Sequence, residues 1–172
     1  ARYTNMKLDK LTIFGANHVA GLVAVDMYST FENINIEHIY VNAGNNSSVG
    51  NQSALLVGEK TGGRIENCYV HGDMITEGIQ CGGIVGITHG DVRINHVIAN
   101  VYATNKNIKN AASMGLVVGE PDAATSITNS ASIGMTASGK SSKAVGKFYG
   151  TATDISGIEN CYENSTTEGT SK

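Results

Sequence analysis

An apolar stretch of five residues, edged by small ones, returns along this chain. It reads Ala20-Gly21-Leu22-Val23-Ala24, then Ala54-Leu55-Leu56-Val57-Gly58, Gly82-Gly83-Ile84-Val85-Gly86, Gly115-Leu116-Val117-Val118-Gly119 and Gly146-Lys147-Phe148-Tyr149-Gly150. The starts lie 34, 28, 33 and 31 residues apart. Self-similarity at a near-fixed period is the signature of a solenoid, where each unit buries its apolar face only against its neighbours. A second stretch runs in step with the first. It reads Ile36-Glu37-His38-Ile39-Tyr40-Val41, Ile65-Glu66-Asn67-Cys68-Tyr69-Val70, Ile94-Asn95-His96-Val97-Ile98-Ala99, Ile127-Thr128-Asn129-Ser130-Ala131-Ser132 and Ile158-Glu159-Asn160-Cys161-Tyr162-Glu163. On this alignment the first repeat has extra residues between its two stretches, around Met27 to Asn33, which read as a longer loop.

These segments are short and rich in β-branched residues, and Gly interrupts them every few positions. A helix loses roughly 1 kcal/mol per interior Gly, so the pattern predicts strands. A weaker third strand follows the second stretch, at Asp73-Met74-Ile75-Thr76, Asn100-Val101-Tyr102-Ala103 and Gly134-Met135-Thr136-Ala137. Three short strands per coil, in about five repeats, predict an all-β, right-handed parallel β-solenoid. The alternative is a sandwich of antiparallel hairpins, but a sandwich has no reason to keep one period.

The third position of the second stretch holds only Asn or His: His38, Asn67, His96, Asn129 and Asn160. Parallel coils place equivalent residues about 4.8 Å apart. Side chains stacked this way bond their copies and satisfy the backbone of a turn, so the column predicts a polar ladder at a bend.

Composition supports short strands and tight turns: the chain has 172 residues, 21 Gly, one Pro and no Trp. Its net charge of −3 and scattered basic residues argue against a nucleic-acid partner and against an acidic membrane surface. No apolar run approaches the ~18 residues of a membrane helix, so no membrane insertion is expected. Residues 1–172 read as one segment of a larger protein. Leu8-Asp9-Lys10-Leu11-Thr12-Ile13 has the pattern of a second half-repeat lacking its first half, and the polar tail after Tyr162 reads as a cap or a cut end.

Candidate chemistry is sparse. Gly134-Met135-Thr136-Ala137-Ser138-Gly139-Lys140-Ser141 matches the phosphate-loop pattern letter for letter. That loop works between a strand and a helix, and here the next Gly-flanked stretch follows instead. The histidines (His18, His38, His71, His89, His96) lack the spacing of a helical zinc motif. His38 and His96 fall in one column but two rungs apart. Cys68 and Cys161 share a column three rungs apart, too far for a disulfide, so all three cysteines, Cys81 included, are expected to be free. Glu37, Arg64, Glu66 and Arg93 form an outward strip on adjacent rungs. Some β-solenoids use such carboxylates and cations on polysaccharides; the plainer reading is a solvated cross-rung charge ladder worth a few tenths of a kcal/mol per pair. There is no Gly-x-Ser-x-Gly elbow. Sequons at Asn45, Asn46, Asn51 and Asn164 mark loops. No catalytic, cofactor-binding or metal-ligating residue is assigned.

The Gly82-Gly83-Ile84-Val85-Gly86 stretch and the Ile65-Glu66-Asn67-Cys68-Tyr69-Val70-His71-Gly72 type of second half resemble the GLUG repeat of bacterial surface and secreted proteins. Ile94 to Val101 and Leu8 to Ile13 are most similar to the non-catalytic N-terminal region of immunoglobulin A protease-type zinc metalloproteases. The resemblance implies a secreted or cell-wall location. It also implies a non-enzymatic spacer or substrate-presenting segment, with flanking domains of the same chain and a host protein or glycoprotein as partners. An adhesin stalk or host-binding module is the second expectation, and a carbohydrate-active solenoid the third. The repeats depart from the pattern at Ala20, Ala24, Ala54 and Lys147. The zinc-binding residues of that family have no counterpart here.

Overall fold

A computed structural model describes residues 1–44, 52–106, 112–138, 144–146, 148–150, 155 and 157–168. The sequons at Asn45, Asn46 and Asn51, the Gly139-Lys140-Ser141 end of the phosphate-loop match and Lys147 lie outside the described residues. The chain is an all-β, right-handed parallel β-solenoid of about four turns. Strands Arg2–Asp9, Thr30–Ala43, Val57–Thr76, Val85–Asn105, Ser126–Thr128 and Gly157–Glu159 lie side by side in that order in one sheet. A second sheet stacks the short strands Val19–Ala20, Gln52–Ala54, Gln80–Gly82, Ser113–Gly115 and Ala144–Gly146. Six rungs at the ~4.8 Å spacing of paired strands make a stack of roughly 24 Å.

The two central coils each have a short strand, an apolar corner and a long strand that bends without losing its partners. Val57–Thr76 and Val85–Asn105 stay paired from Val57↔Val85 to Thr76↔Asn105, with one slip between Thr61 and Gly63. The recurring apolar stretch is therefore a corner and not a strand of its own. Gln80–Gly82 ends one strand, Gly83 and Ile84 turn, and Val85 opens the next. The sequence cannot distinguish the two, because both put aliphatic residues inside; Leu55, Leu56, Ile84, Leu116 and Val117 are all wholly buried. Rungs pack closely here. A Cβ on Gly83 would lie 2.1 Å from the Leu116 carbonyl oxygen and 2.8 Å from Val101 Cγ2.

The second bend is the polar ladder, and it has a backbone cause. Asn67, His96, Asn129 and Asn160 sit at φ of 52°, 51°, 49° and 52°, the left-handed region that Asn tolerates best among residues with a Cβ. Asn5 and Asn33 continue the column at 56° and 55°. Asn33 Nδ2 donates to Asn5 Oδ1 at 3.0 Å, and Asn160 Nδ2 to Asn129 Oδ1 at 3.4 Å.

The expected register of the first repeat is corrected. Phe31 pairs with Ile65 and Glu32 with Glu66, so Phe31-Glu32-Asn33 is the equivalent of Ile65-Glu66-Asn67. His38 belongs to a separate bend with Lys10, at φ 52° and 57°, and a slip between Ile36 and Ile39 absorbs it. The expected loop around Met27 to Asn33 does not exist: Val23–Met27 and Thr30–Ala43 are both strands. Likewise Tyr3 pairs with Phe31, so Tyr3-Thr4-Asn5, and not Leu8 to Ile13, occupies the second-stretch columns of the first rung. Alternating strands hide such offsets, since a shift that preserves inward phase leaves the pattern intact.

The core is a continuous aliphatic column with Phe31, Ile65, Ile94 and Ile127 in register. One ion pair lies inside it. Lys60 is wholly buried, with Nζ 2.6 Å from Asp26 Oδ2 and 2.9 Å from the Ser29 carbonyl oxygen. The ammonium also sits 4.8 Å from the centre of the Phe31 ring. Ser29 N–H donates to the same Asp26 oxygen at 3.2 Å.

Candidate functional site

The outward residues of the long strands form a polar face whose columns are fixed by the ladder register. Thr30, Arg64, Arg93, Ser126 and Gly157 make one column. Two residues further along lies the column Glu32, Glu66, Asn95, Thr128 and Glu159. Between them the buried Ile column forms the floor. Arg64, Glu66, Arg93, Asn95, Ser126 and Thr128 line a shallow surface pocket of about 300 Å³ over Ile65.

Three members of the expected strip therefore do meet: Arg64, Glu66 and Arg93. Glu37 does not. It lies beyond the bend, beside Asp9, where it accepts from Asn35 Nδ2 at 2.8 Å and sits 3.9 Å from Lys7 Nζ. Glu32 holds the place in the column that the misaligned register gave to Glu37.

The expected charge ladder is also replaced by something less regular. Arg64 stands in register with Arg93, cation beside cation. Arg93 is held within its own strand by a two-pronged contact to Asp91, Nε to Oδ1 at 3.1 Å and Nη2 to Oδ2 at 2.7 Å. That contact keeps the Asp91 carboxyl below its ordinary range. Glu66 accepts from Asn95 Nδ2 at 3.3 Å. Asn95 Oδ1 in turn accepts from Thr128 Oγ1 at 3.0 Å and Asn129 Nδ2 at 2.9 Å, tying three rungs together. The Arg64 backbone N–H donates to the Ser29 carbonyl oxygen at 3.3 Å, whereas among the described residues its guanidinium is in no hydrogen bond or ion pair.

The first two rungs show how this face pairs its charges when both are present. Arg2 stands in register with Thr30 and reaches diagonally to Glu32, two residues on. That contact draws the Glu32 carboxyl below its usual value. The equivalent diagonal partner of Arg64 is Asn95, and that of Arg93 is Thr128.

The histidines sit elsewhere. His38 Nδ1 lies 2.8 Å from Asp9 Oδ1, and its ring meets His71 edge-on at 5.5 Å. This is a different column from His96, so the two never shared a ladder. His18 and His89 each approach one oxygen of Glu59, at 3.3 and 3.4 Å. Among the described residues no group of three or more His, Cys, Asp or Glu side chains is arranged to hold a metal ion. Gly134, the first residue of the phosphate-loop match, lies inside the strand Ala131–Ser138 and pairs with Val101. No described helix is long and apolar enough to cross a membrane.

All three cysteines are free. Burial pushes the Cys68 and Cys81 thiols up to about 11. Cys81 lies in a small interior polar cluster. Thr76 Oγ1 is 3.6 Å and Asn105 Nδ2 3.7 Å from its sulfur, and Ser53 Oγ is 2.9 Å from Thr76 Oγ1. Such thiols pack as small apolar groups.

No protein family, curated protein or solved structure matches the chain.

Proposed function

We propose that this solenoid is a non-catalytic accessory module of a secreted or cell-surface bacterial zinc metalloprotease, serving as spacer or substrate-presenting segment. The observation that carries the spacer role is the unbroken parallel ladder. Rungs are bonded from Arg2–Asp9 to Gly157–Glu159, giving a stiff rod that holds whatever flanks it at a set distance. The metalloprotease context rests on the resemblance of Gly82–Gly86 and Ile65–Gly72 to the GLUG repeat. Deleting the segment from its parent chain is expected to weaken turnover of a large glycoprotein substrate and to spare a short peptide. Equal loss on both substrates, or no loss on either, would overturn the presenting role.

The second reading is an adhesin stalk or host-binding module, favoured by the polar pocket on the outer face. It predicts that the isolated segment captures a host surface component with no protease attached. Carbohydrate turnover by the solenoid itself is the third reading. Converting Arg64, Glu66 and Arg93 to Ala together and finding unchanged polysaccharide cleavage, or finding no cleavage by the parent sequence, disposes of it.

A further inference from the structure

The pocket over Ile65 lacks one group, and the neighbouring rung identifies it. Arg2 finds Glu32 on the diagonal, whereas Arg64 finds the neutral Asn95 and Arg93 the neutral Thr128. Arg93 turns back to Asp91, two residues before it in its own strand. The residue two before Arg64 is Gly62, which has no side chain to offer, and the slip between Thr61 and Gly63 leaves only glycines opposite Asp91. So two guanidinium-bearing residues stand in register at the wall of a pocket of about 300 Å³, and Arg64, whose charge is felt by Glu32 in the rung before it, is in no direct ion pair. Like charges opposite one another in a sheet repel. A planar anion between them relieves that repulsion.

We infer that this pocket binds an acidic sugar unit through its carboxylate, which meets the Arg64 guanidinium alongside Asn95 as the Glu32 carboxylate meets Arg2. A carboxylate is favoured because it reproduces the group the fold itself uses two rungs earlier, and because it meets a guanidinium through two parallel hydrogen bonds. The rest of the ligand is set by the remaining lining. Ser126 and Thr128 carry hydroxyls, Asn95 an amide and Glu66 a carboxylate, a set that exchanges hydrogen bonds with the hydroxyls of a saccharide ring. Glu66 stands at the pocket wall as an acceptor and disfavours a ligand carrying a second negative charge on that side. The cavity holds one sugar unit and is open along the face, so the unit can belong to a polymer. The inference holds whether or not the parent chain is a protease.

The test is a calorimetric titration of the full chain with galacturonic acid, with galactose and with acetate, at low and raised salt. Galacturonic acid is expected to bind saturably and to weaken as salt is raised, with neither galactose nor acetate matching it within ten-fold. Arg64→Gln should weaken binding at least ten-fold. Asn95→Glu should do the same by a different route, because it supplies the diagonal carboxylate from within. Both variants are checked for the parent's circular dichroism and melting temperature. Asn95→Glu sets a carboxylate in register with Glu66 and is expected to lower the melting temperature, so its binding is measured well below that temperature, where circular dichroism shows it folded. Acetate binding as tightly as galacturonic acid would overturn the sugar assignment. No saturable binding, or binding unchanged in Arg64→Gln and Asn95→Glu, would overturn the site.

Discussion

Asp26 and Lys60 lie one repeat apart, in register, and form an ion pair sealed inside the coil. Removing one partner strands the other in a low-dielectric interior. Asp26→Ala or Lys60→Met alone is expected to lower unfolding free energy by about 3–5 kcal/mol, as for other buried pairs. Asp26→Leu with Lys60→Met is expected to be near neutral or stabilising, because two desolvation penalties disappear together. Urea unfolding of the single and double variants gives the answer. A double variant as unstable as the singles would show that the pair holds the fold in a way apolar packing cannot replace.

The same pair sets an acid limit. Burial alone would raise the Asp26 carboxyl, but the hydrogen bonds from Lys60 and Ser29 outweigh it and hold the group below its ordinary 3.8. A depressed carboxylate contributes stability that is present above its unfolded value and lost as pH falls through its folded value. Stability is therefore expected to drop steeply below about pH 4, and more gently in the Asp26→Leu, Lys60→Met variant. Parallel curves for the two proteins in unfolding measured from pH 6 downward would remove Asp26 from the account.

The two bends respond differently to a methyl group. Gly83→Ala forces a Cβ to within 2.1 Å of a backbone oxygen in the next rung, so the coils must part. A loss of more than about 3 kcal/mol, or failure to fold, is expected. Gly90→Ala meets nothing within 4 Å and suffers only from its φ of +68°, a penalty of about 1 kcal/mol. At the polar bend, Asn67→Ala is expected to lose about 1 kcal/mol and Asn67→Gly almost nothing, since the left-handed backbone and not the amide is the main demand. Thermal melts of the four variants rank these effects; Asn67→Gly falling to the level of Asn67→Ala would show that the side-chain ladder matters more.

Thiol chemistry separates the cysteines. With Cys68 and Cys81 raised to about 11, roughly one molecule in a thousand carries either thiolate at pH 8. Iodoacetamide added to the native protein should label Cys161, which is partly exposed, and leave the other two until urea is added. Peptide mass mapping checks it, and early labelling of Cys81 would mean that the interior opens locally.

Much of this architecture is legible in the sequence, because a repeat constrains every copy at once. The inward Ile at 65, 94 and 127 and the Asn or His after it give both the period and the bend. The second rung is misread because Ile36-Glu37-His38 imitates Ile65-Glu66-Asn67 while Phe31-Glu32-Asn33 occupies the place. Phe replaces Ile at the column, and both Asn33 and His38 adopt the left-handed conformation. The apolar corner is misread as a strand since aliphatic burial looks alike in both. The buried pair had a usable signal: Asp26 and Lys60 are opposite charges on the inward phase, one 34-residue period apart. Arg64, Glu66 and Arg93 are legible as a strip, but the carboxylate absent beside Arg64 is visible only against Arg2 and Glu32 in the true register.

A ladder in which every rung bonds only to the next has a mechanical consequence. Pulled by its two ends, the chain is expected to peel away coil by coil, from the outermost rungs inward. Each coil of about 31 residues then releases on the order of 100 Å of slack, at ~3.4 Å per residue. The stack of roughly 24 Å becomes a tether that lengthens in steps set by the repeat lengths, which single-molecule stretching would record as a sawtooth of similar teeth.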